Sequence, residues 1–455
     1  MDSRKRMVIT LDLIITCIIS SFLQTALTTA LPAIINDLHI SVSEGQWLTS
    51  GYSLAMGIMM PLSAFLITRC PTKKLYLSAI GMFLIGSLVC IFANSFPTMM
   101  VGRVFQACSN GIISSMAQVV FLTIYPPEKR GTIMGWYGLS VGAAPVIAPT
   151  IAGVLVDSVG WRIIFASTFV ILFLSFIIAI ISFDNVLETQ LKTFDIYSFI
   201  LSVMAFGGIT LGIGNLSASG ISSVITLVPL AIGVFAGIMF THRQLCLKEP
   251  FLDLRILKDH DYNFSVIGSM LLYLVMMGSS VIMPLYIQSI LGKSATVSGL
   301  VTLPGSLAMA IVSPFAGKFY DRFGIKKLAV SGTIMMMLST LGMSFVTANT
   351  SVVFASILNV VRSVSIGCLM MPFVTFGISS LGNEKTAHGT ALLTSLRTIS
   401  GAIGSAVFVG ILNFSQAGKE PGIYGLHITF LSMTAVTVFM LFVVILGSSK
   451  RNTKR

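Results

Sequence analysis

Among the ionisable side chains that lie inside or at the edge of long apolar stretches, three could hold a charge that takes part in moving a proton. Asp12 interrupts the first apolar stretch, Asp37 closes it, and Arg103 lies within a later one. A carboxylate that meets one aqueous side and then the other can carry a proton between them. An arginine in such a stretch is costly unless it faces a polar cavity or a partner. Asp12, Asp37 and Arg103 are therefore candidates for proton coupling.

Each of these charges also has a structural interpretation, which the sequence leaves open. Asp12 closely follows the basic start of the chain, and an aspartate near a helix N-terminus is favoured there in any case. Asp37 could simply hold the end of its helix, and Arg103 could bridge two helices. No Asp or Glu lies at the centre of any apolar stretch. A carboxylate that carries protons would therefore have to lie nearer one face.

Neutral polar residues in the first and fourth apolar stretches could line a cavity between helices. Their amide and hydroxyl groups could contact a substrate, or could equally form hydrogen bonds between helices. The candidates for the substrate cavity are Gln24, Thr25, Thr28, Gln106, Asn110 and Gln118. No catalytic constellation, metal-ligand spacing or phosphate-binding loop accompanies them, so the sequence predicts neither an enzyme nor a metal site.

The composition identifies the elements that must position these side chains. The chain has 455 residues, of which 55% are hydrophobic and 10% charged, whereas soluble domains carry about 25% charged residues. Apolar stretches of roughly twenty residues recur from end to end, and each could cross about 30 Å of hydrocarbon as a helix. About fourteen such stretches can be counted. The sequence therefore predicts an all-α integral membrane protein with about fourteen transmembrane helices.

One part of the chain occurs twice. The Ser-Leu-Ala-Met segment Ser53–Met56 returns as Ser306–Met309, and Pro61 and Pro314 follow at the same spacing. A duplicated unit of membrane helices is typical of secondary transporters, whose substrate site lies between the halves. We therefore predict two six-helix repeats with an added pair of helices between them. The divisions are residues 1–195, residues 196–261 with a cytoplasmic link, and residues 262–455 with a basic tail.

Lys and Arg are distributed unevenly around the apolar stretches. The formal net charge is +12, and most of the 28 basic residues fall on one side when both termini are placed in the cytoplasm. This is the positive-inside pattern. It predicts a multi-pass protein with both termini cytoplasmic. Contact with anionic membrane lipids accounts for the basic balance, so no nucleic-acid partner is expected.

A loop after the tenth apolar stretch resembles the cytoplasmic signature of the major facilitator superfamily. That signature has a glycine, an aspartate-arginine pair, a second glycine and a basic pair. Here its residues are Gly317, Asp321, Arg322, Gly324, Lys326 and Lys327. We interpret the loop as a gating latch, in which the carboxylate can pair with basic groups or with a helix N-terminus. The first copy is degraded, with Thr68 in place of the aspartate and Pro71 in place of the second glycine.

Two further stretches extend the resemblance. The fourth stretch has an arginine-glutamine pattern, Arg103 and Gln106. The fifth has a glycine-proline pattern that resembles the one in exporters of the superfamily, and small residues there permit close helix packing and a bend. Its residues are Gly142, Pro145, Pro149 and Gly153. With about fourteen spans, the chain resembles the fourteen-span drug:proton antiporter branch, which exports many drugs.

The resemblance implies a function and its setting. A member of that branch would have the major facilitator fold and would lie in the bacterial plasma membrane. It would export small amphipathic compounds by alternating access and would exchange them for protons. The proton gradient would drive export without a bound cofactor. We expect contact with membrane lipids and a monomer.

One departure from the branch concerns the coupling mechanism. The position that usually holds an aspartate midway along the first helix is Leu23 here, followed by Gln24. The carrier of the proton is therefore left open, and so is the preference for cationic drugs. Export or flipping of a lipid or glycolipid by the same fold is an alternative function. A membrane-embedded enzyme is a less favoured one.

Overall fold

Fourteen α-helices make up nearly all of the described structure, a computed structural model, and no strand occurs in the described part. The structure describes residues 3–40, 42–187, 189, 195–219, 223–247, 250, 252–293, 295–382, 385–414 and 422–447. The first eight helices are α1 (Ser3–Leu38), α2 (Val42–Arg69), α3 (Thr72–Ile91), α4 (Phe96–Ile124), α5 (Pro127–Val159), α6 (Arg162–Ser182), α7 (Ile196–Ser219) and α8 (Val224–Cys246). The others are α9 (His260–Leu285), α10 (Ala295–Phe323), α11 (Ile325–Met343), α12 (Val352–Ser380), α13 (Thr386–Phe414) and α14 (Ile423–Gly447). A 3-10 turn (Leu254–Lys258) precedes α9, and a π-helical turn (Tyr286–Ile290) follows it.

The prediction of an all-helical membrane protein is confirmed, but the count of fourteen spans is not. Among the described residues, 12 helices are long and apolar enough to cross a membrane. The two helices outside that set are α5 and α11. Some side chains of α5 lie outside the described part of the structure, and α11 begins with the charged pair Lys326 and Lys327, which lowers its apolar character.

Helices near in sequence pack against one another in two groups. In the first group, α1 packs on α5 and α6, α2 on α4, and α3 on α4 and α6. In the second, α9 packs on α12, α13 and α14, while α11 packs on α12 and α14. The groups meet where α5 contacts α10 and α12, and where α2 contacts α13. The predicted divisions at residues 195 and 261 stay predictions.

The helices α7 and α8 form a pair beside the second of these contacts. They pack closely because small residues face each other: a Cβ placed on Gly208 would lie 2.6 Å from the carbonyl oxygen of Pro229. The pair contacts both α2 and α13 through α7. Arg243 at the end of α8 forms an ion pair with Asp195, with 2.9 Å between Nη2 and Oδ2. The pair therefore packs beside the contact between α2 and α13, one of the two places where the groups meet.

The two ends of the bundle differ in how tightly the groups are joined. We call the end that carries Phe323, the last residue of α10, the latch face, and the other end the opposite face. One buried apolar core joins residues of α1–α6 to residues in the latch-face halves of α12 and α13, such as Val374, Ile378 and Ala391. A second buried core lies within α9–α14 and their connections. Close van der Waals packing of these side chains therefore holds the groups together at the latch face.

Candidate functional site

The latch is a single carboxylate on α10 that binds the start of α5. Oδ1 of Asp321 accepts a hydrogen bond from the backbone N–H of Gly131 at 2.8 Å. Oδ2 accepts two from Thr132, one from its backbone N–H at 2.7 Å and one from its hydroxyl at 2.6 Å. A carboxylate near the first turns of a helix also meets the positive end of the helix dipole. Asp321 therefore ties the two groups of helices together at the latch face.

Glycines allow the backbones of α5 and α10 to come into direct contact beside this carboxylate. A Cβ on Gly317 would lie 2.1 Å from the carbonyl oxygen of Gly131, and one on Gly135 would lie 2.6 Å from that of Ser313. Neither position could hold a larger residue without moving a helix. Gly324 has φ +73° and ends α10, in a backbone conformation that favours glycine.

The basic residues of the latch signature do not reach α5 in this structure. The guanidinium of Arg322 and the ammonium of Lys327 lie 5.1 Å and 5.7 Å from the ring centroid of Phe323. Lys326 is exposed. Within the signature, Gly317 and Asp321 therefore make the contact between helices.

A polar cavity of about 310 Å³ opens among the helices of the first group. The lining residues come from α1, α2, α4 and α5, and they are Ser21, Gln24, Thr25, Thr49, Ser53, Arg103 and Val141. The α2 and α4 residues lie within about three turns of the ends of their helices at the opposite face. Among these described lining residues, Arg103 alone has a formal charge.

Arg103 is completely buried and is held by neutral groups. Its guanidinium carbon lies 4.1 Å from the ring centroid of Tyr52. Its Nε donates to the carbonyl oxygen of Leu48 at 3.3 Å, and Nη1 donates to Oε1 of Gln106 at 2.9 Å. Within the described residues, Nη2 has no hydrogen-bond partner and Arg103 has no ion pair. Gln106 is in turn fixed by donating to the hydroxyl of Ser87 at 3.0 Å.

The structure brings some of the predicted cavity residues together and separates others. Gln24 and Thr25 line the cavity, and Gln106 orients Arg103. Asn110 donates to the hydroxyl of Tyr52 at 2.9 Å and so supports the ring beneath the guanidinium. Gln118 lies far along α4, towards the latch face. Thr28 lies on α1, but its side chain is outside the described residues.

Asp12 lies in the packing between α1, α3 and α6 rather than in the cavity. Its side chain is buried and accepts a hydrogen bond on Oδ1 from the hydroxyl of Ser175. Thr16, one turn along α1, bonds to the hydroxyls of Tyr76 and Ser175 at 2.8 Å and 3.0 Å. Oδ2 of Asp12 has no hydrogen-bond partner in the described part. Asp12 is therefore a buried carboxylate among neutral hydroxyl groups.

Asp37 is engaged in an ion pair at the opposite face. Nη1 of Arg162 lies 2.6 Å from Oδ2 of Asp37, and the indole N–H of Trp161 donates to the same oxygen at 3.1 Å. The hydrogen bond from Arg162, followed by that from Trp161, lowers the pKa of Asp37 below its usual value. Arg162 also donates to the carbonyl oxygens of Ile91 and Ala93. Asp37 therefore helps to join the ends of α1, α3 and α6.

The glycine-proline pattern of α5 lies apart from the close backbone contact. Among the described residues, a Cβ on Gly142 would meet only the terminal methyl of Met309, at 2.9 Å, and one on Gly153 would meet nothing within 4 Å. The side chains of Pro145 and Pro149 are outside the described residues. The direct contact with α10 instead uses Gly131 and Gly135, nearer the latch face.

Several residues of the site were not predicted from the sequence. Thr49, Ser53 and Tyr52 lie on α2, and no sequence feature indicates which face of that helix turns towards Arg103. Gly131 and Thr132, the partners of Asp321, follow a basic segment that the positive-inside pattern already explains. Both residues lie at the start of a helix, where backbone N–H groups lack partners within the helix and can bind a carboxylate. That position could have predicted them as partners of Asp321.

A second buried polar cluster lies towards the latch face. Arg397 of α13 is only 7% exposed, and its guanidinium carbon lies 4.9 Å from the ring centroid of Tyr273. Tyr137 of α5 lies within electrostatic reach of Arg397 and binds Gln118, whose Nε2 is 3.5 Å from its hydroxyl. Polar atoms of this cluster have no hydrogen-bond partner in the described structure. They are Gln118 Oε1, Arg397 Nε, Arg397 Nη1, Thr394 Oγ1 and Ser395 Oγ.

A bundle of apolar helices with a polar cavity and a carboxylate latch between two helix groups defines a multi-pass membrane transporter. The chain belongs to the Major Facilitator Superfamily, whose family model matches residues 13–405. Members of this family are transporters and not enzymes.

Relatives of known sequence agree with this membership, and a solved structure shares the fold. The chain is 34% identical to the uncharacterized MFS-type transporter YcnB of Bacillus subtilis (strain 168), over 91% of this chain and 89% of that protein. It is 34% identical to the lincomycin resistance protein LmrB of the same organism, over 90% of this chain and 86% of that protein. The solved structure of the proton:xylose symporter XylE has the same fold, with a TM-score of 0.67 at 13% identity, over 97% of this chain and 95% of that one.

Proposed function

We propose that this protein exports small amphipathic, drug-like compounds by alternating access, in exchange for protons. It would do so in the bacterial plasma membrane as a monomer with fourteen spans and cytoplasmic termini, in contact with membrane lipids and without a bound cofactor. The observation that carries the proposal is a closed latch face combined with a polar cavity near the opposite face. A relative that bears the name of a lincomycin resistance protein supports the substrate class.

The difference between the two ends of the bundle supports alternating access. At the latch face, Asp321 and the apolar core close the path between the helix groups. The buried cluster around Arg397 and Gln118 lies behind that closure, with polar atoms that have no partner in the described part of the chain. An unsatisfied buried polar group costs about 1–3 kcal/mol, and water would remove that cost when the face opens. The cluster is therefore a suitable lining for a cavity that opens towards the latch face.

Proton coupling is assigned to Asp12 in preference to Asp37. Asp37 is paired with Arg162, which favours its charged form. Asp12 is buried among neutral hydroxyl groups, so that protonation would remove a charge that is costly to bury. The same helix carries Ser21, Gln24 and Thr25 of the cavity. A proton on Asp12 would weaken its acceptor contact with Ser175 and shift α1, which would connect proton uptake to the cavity.

The test is efflux of a panel of dyes from proteoliposomes, with and without a pH gradient. We expect dye movement in wild type to follow the gradient. Asp12→Asn should lose this response while it retains downhill movement of the same dye. Asp37→Asn is the matched carboxylate control and should remain coupled. Wild-type movement that ignores the gradient would overturn proton exchange, and coupled movement in Asp12→Asn would remove the role of Asp12.

A further inference from the structure

The cavity holds an uncompensated positive charge. Arg103 is completely buried, its Nη2 lacks a partner among the described residues, and its contacts are a carbonyl oxygen, an amide and an aromatic ring. Besides Arg103, the described cavity lining contains hydroxyl, amide and aliphatic groups, and no carboxylate. A buried charge without a counter-ion is strongly unfavourable. An ion that enters the cavity with the opposite charge would therefore be favoured.

The described residues of α1 beside the cavity supply no counter-ion. Leu23 is 1% exposed and packs in the first apolar core of the helix bundle. Its neighbour Gln24 lines the cavity with a neutral amide. Neither residue can neutralise Arg103. The cavity of this chain therefore differs in electrostatic character from one in which α1 provides a carboxylate.

We propose that the cavity binds the anionic group of an amphipathic organic acid, with the guanidinium of Arg103 as its counter-ion. The proposal rests on the proposed function, because it names the substrate class of that same cavity. Nη2 supplies the first donor. Charge-assisted hydrogen bonds to a guanidinium are about twice as strong as neutral ones, and a planar carboxylate fits its fork.

The remaining contacts suit the rest of such a molecule. Gln24 and the hydroxyls of Ser21 and Ser53 border the cavity near the charge, while Val141 adds an apolar wall from α5. The cavity volume of about 310 Å³ is close to the lower end of the range of small-ligand pockets. A compact carboxylate with one apolar ring system is therefore a better match than a large cation.

The experiment measures equilibrium binding of three fluorescent probes to the purified protein in nanodiscs. The probes are dansylglycine, which carries a carboxylate, its neutral amide dansylglycinamide, and the cation dansylcholine. Each probe is measured with wild type, Arg103→Gln, Gln24→Glu and the control Lys293→Gln. Lys293 is an exposed cation outside the cavity, so its loss tests the effect of general surface charge. Thermal unfolding of each variant shows that it is folded.

The expected result is a preference for the carboxylate that depends on Arg103. Wild type and Lys293→Gln should bind dansylglycine at least roughly tenfold more tightly than dansylglycinamide, as expected for a charged hydrogen bond. Arg103→Gln should abolish that difference. Gln24→Glu keeps Arg103 and adds an internal carboxylate that can neutralise it, so it should also abolish the preference for dansylglycine. The second variant keeps the test decisive if Arg103→Gln does not fold.

Three results would overturn the proposal. They are equal or tighter binding of the amide or the cation by wild type, absence of dansylglycine binding, and an unchanged preference in Gln24→Glu. The measurement uses no gradient, so its outcome is independent of proton exchange. Gradient-driven efflux combined with no carboxylate preference would reject the anionic substrate alone. A carboxylate preference combined with gradient-insensitive efflux would reject proton exchange alone.

Discussion

Two charged side chains of this protein illustrate opposite electrostatic situations. Asp321 accepts three hydrogen bonds, two of them from backbone N–H groups, and so its charge is well satisfied. Arg103 has a donor without a partner and no carboxylate within ion-pair distance in the described structure. A charge with hydrogen-bond partners stabilises one conformation of the protein, whereas a buried charge without them favours the binding of a ligand of opposite charge.

Replacing Asp321 with asparagine should open the latch face. The asparagine keeps one acceptor oxygen but turns an NH₂ group towards N–H donors of Gly131 or Thr132. Loss of these bonds should shift the closed-to-open equilibrium by roughly tenfold. The measurement is the rate of maleimide labelling of Cys17, which is buried on α1, in a variant whose other cysteines are serine. We expect faster labelling and slower transport.

The matched control for this prediction is Asp184→Asn. Asp184 forms an exposed ion pair with Lys5, at 3.0 Å, and does not touch α10. Exposed pairs contribute little, so neither labelling nor transport should change. If Asp321→Asn labels Cys17 at the wild-type rate, the carboxylate does not hold the face closed.

The ion pair of Asp37 predicts a pH-dependent contribution to stability. Arg162 and Trp161 lower the pKa of Asp37 in the folded protein. The pair therefore stabilises the fold at pH values above the unfolded pKa of about 3.9, and this stabilisation is lost as the pH falls through the lowered pKa. Asp37→Asn should lower Tm by about 1 °C at pH 7, and the difference should shrink as the pH falls through the lowered pKa.

Thermal unfolding of the detergent-solubilised protein at several pH values provides the measurement. In an Arg162→Ala background, Asp37→Asn should have almost no further effect, because the partner is already absent. A Tm difference that stays constant from neutral pH down to the acid end of the series would show that the charge of Asp37 is not responsible.

At the scale of elements, the decisive contact is the one between α5 and α10. Both helices run past each other with backbone against backbone at Gly131, Gly135 and Gly317. Small residues at helix crossings in membranes allow this approach, and van der Waals packing then holds the helices together. The glycines therefore determine whether the latch carboxylate can reach its partners.

Gly317→Ala should prevent α5 and α10 from closing. The added Cβ would lie 2.1 Å from the carbonyl oxygen of Gly131, and neither backbone can yield without moving its helix. We expect transport to fall by roughly tenfold or more, since overpacking costs about 1–3 kcal/mol. Cys17 should also become accessible to maleimide.

The control is Gly299→Ala on the same helix, where a Cβ would meet no atom of the described residues within 4 Å. Alanine is also a better helix former than glycine, so this variant should be as stable as wild type or slightly more so. If Gly317→Ala transports at the wild-type rate, transport does not need the close contact between α5 and α10.

At the scale of the whole molecule, the number of spans depends on α5 and α11. The other helices are the 12 of the described structure that are long and apolar enough to span a membrane. α5 has 33 residues and α11 has 19. At 1.5 Å per residue these lengths are about 50 Å and 28 Å, enough to cross or nearly cross the hydrocarbon. Both also pack within the bundle, α5 on α1 and α10, and α11 on α12 and α14.

Fourteen spans predict that each of these helices has its two ends on different sides of the membrane. Single cysteines at Ser158 and Asn349 should react with a membrane-impermeant maleimide in intact cells. Cysteines at Lys129 and Lys326 should react only after permeabilisation. All four positions are exposed at helix ends or in loops. Labelling of both ends of either helix from the same side would exclude it as a span.

The sequence by itself determined the class of this protein and much of its organisation. The recurrence of apolar stretches forces helices, because backbone groups within a bilayer must bond to one another. The duplicated segment at Ser53 and Ser306 indicated two related units, and the loop at Asp321 indicated a latch. These features depend on residue type and local spacing, and both can be read from the sequence.

Only the tertiary structure decided which side chains meet. Asp12 and Asp37 are similar in sequence terms, yet one is buried among hydroxyls and the other is paired with Arg162, a residue on α6. Asp321 finds its partner Thr132 on α5, 189 residues earlier in the chain. Contacts of this kind depend on how each helix is rotated about its axis and on how the helices cross. In a helix that is apolar on both its lipid-facing and its protein-facing side, the sequence does not indicate which side faces the protein.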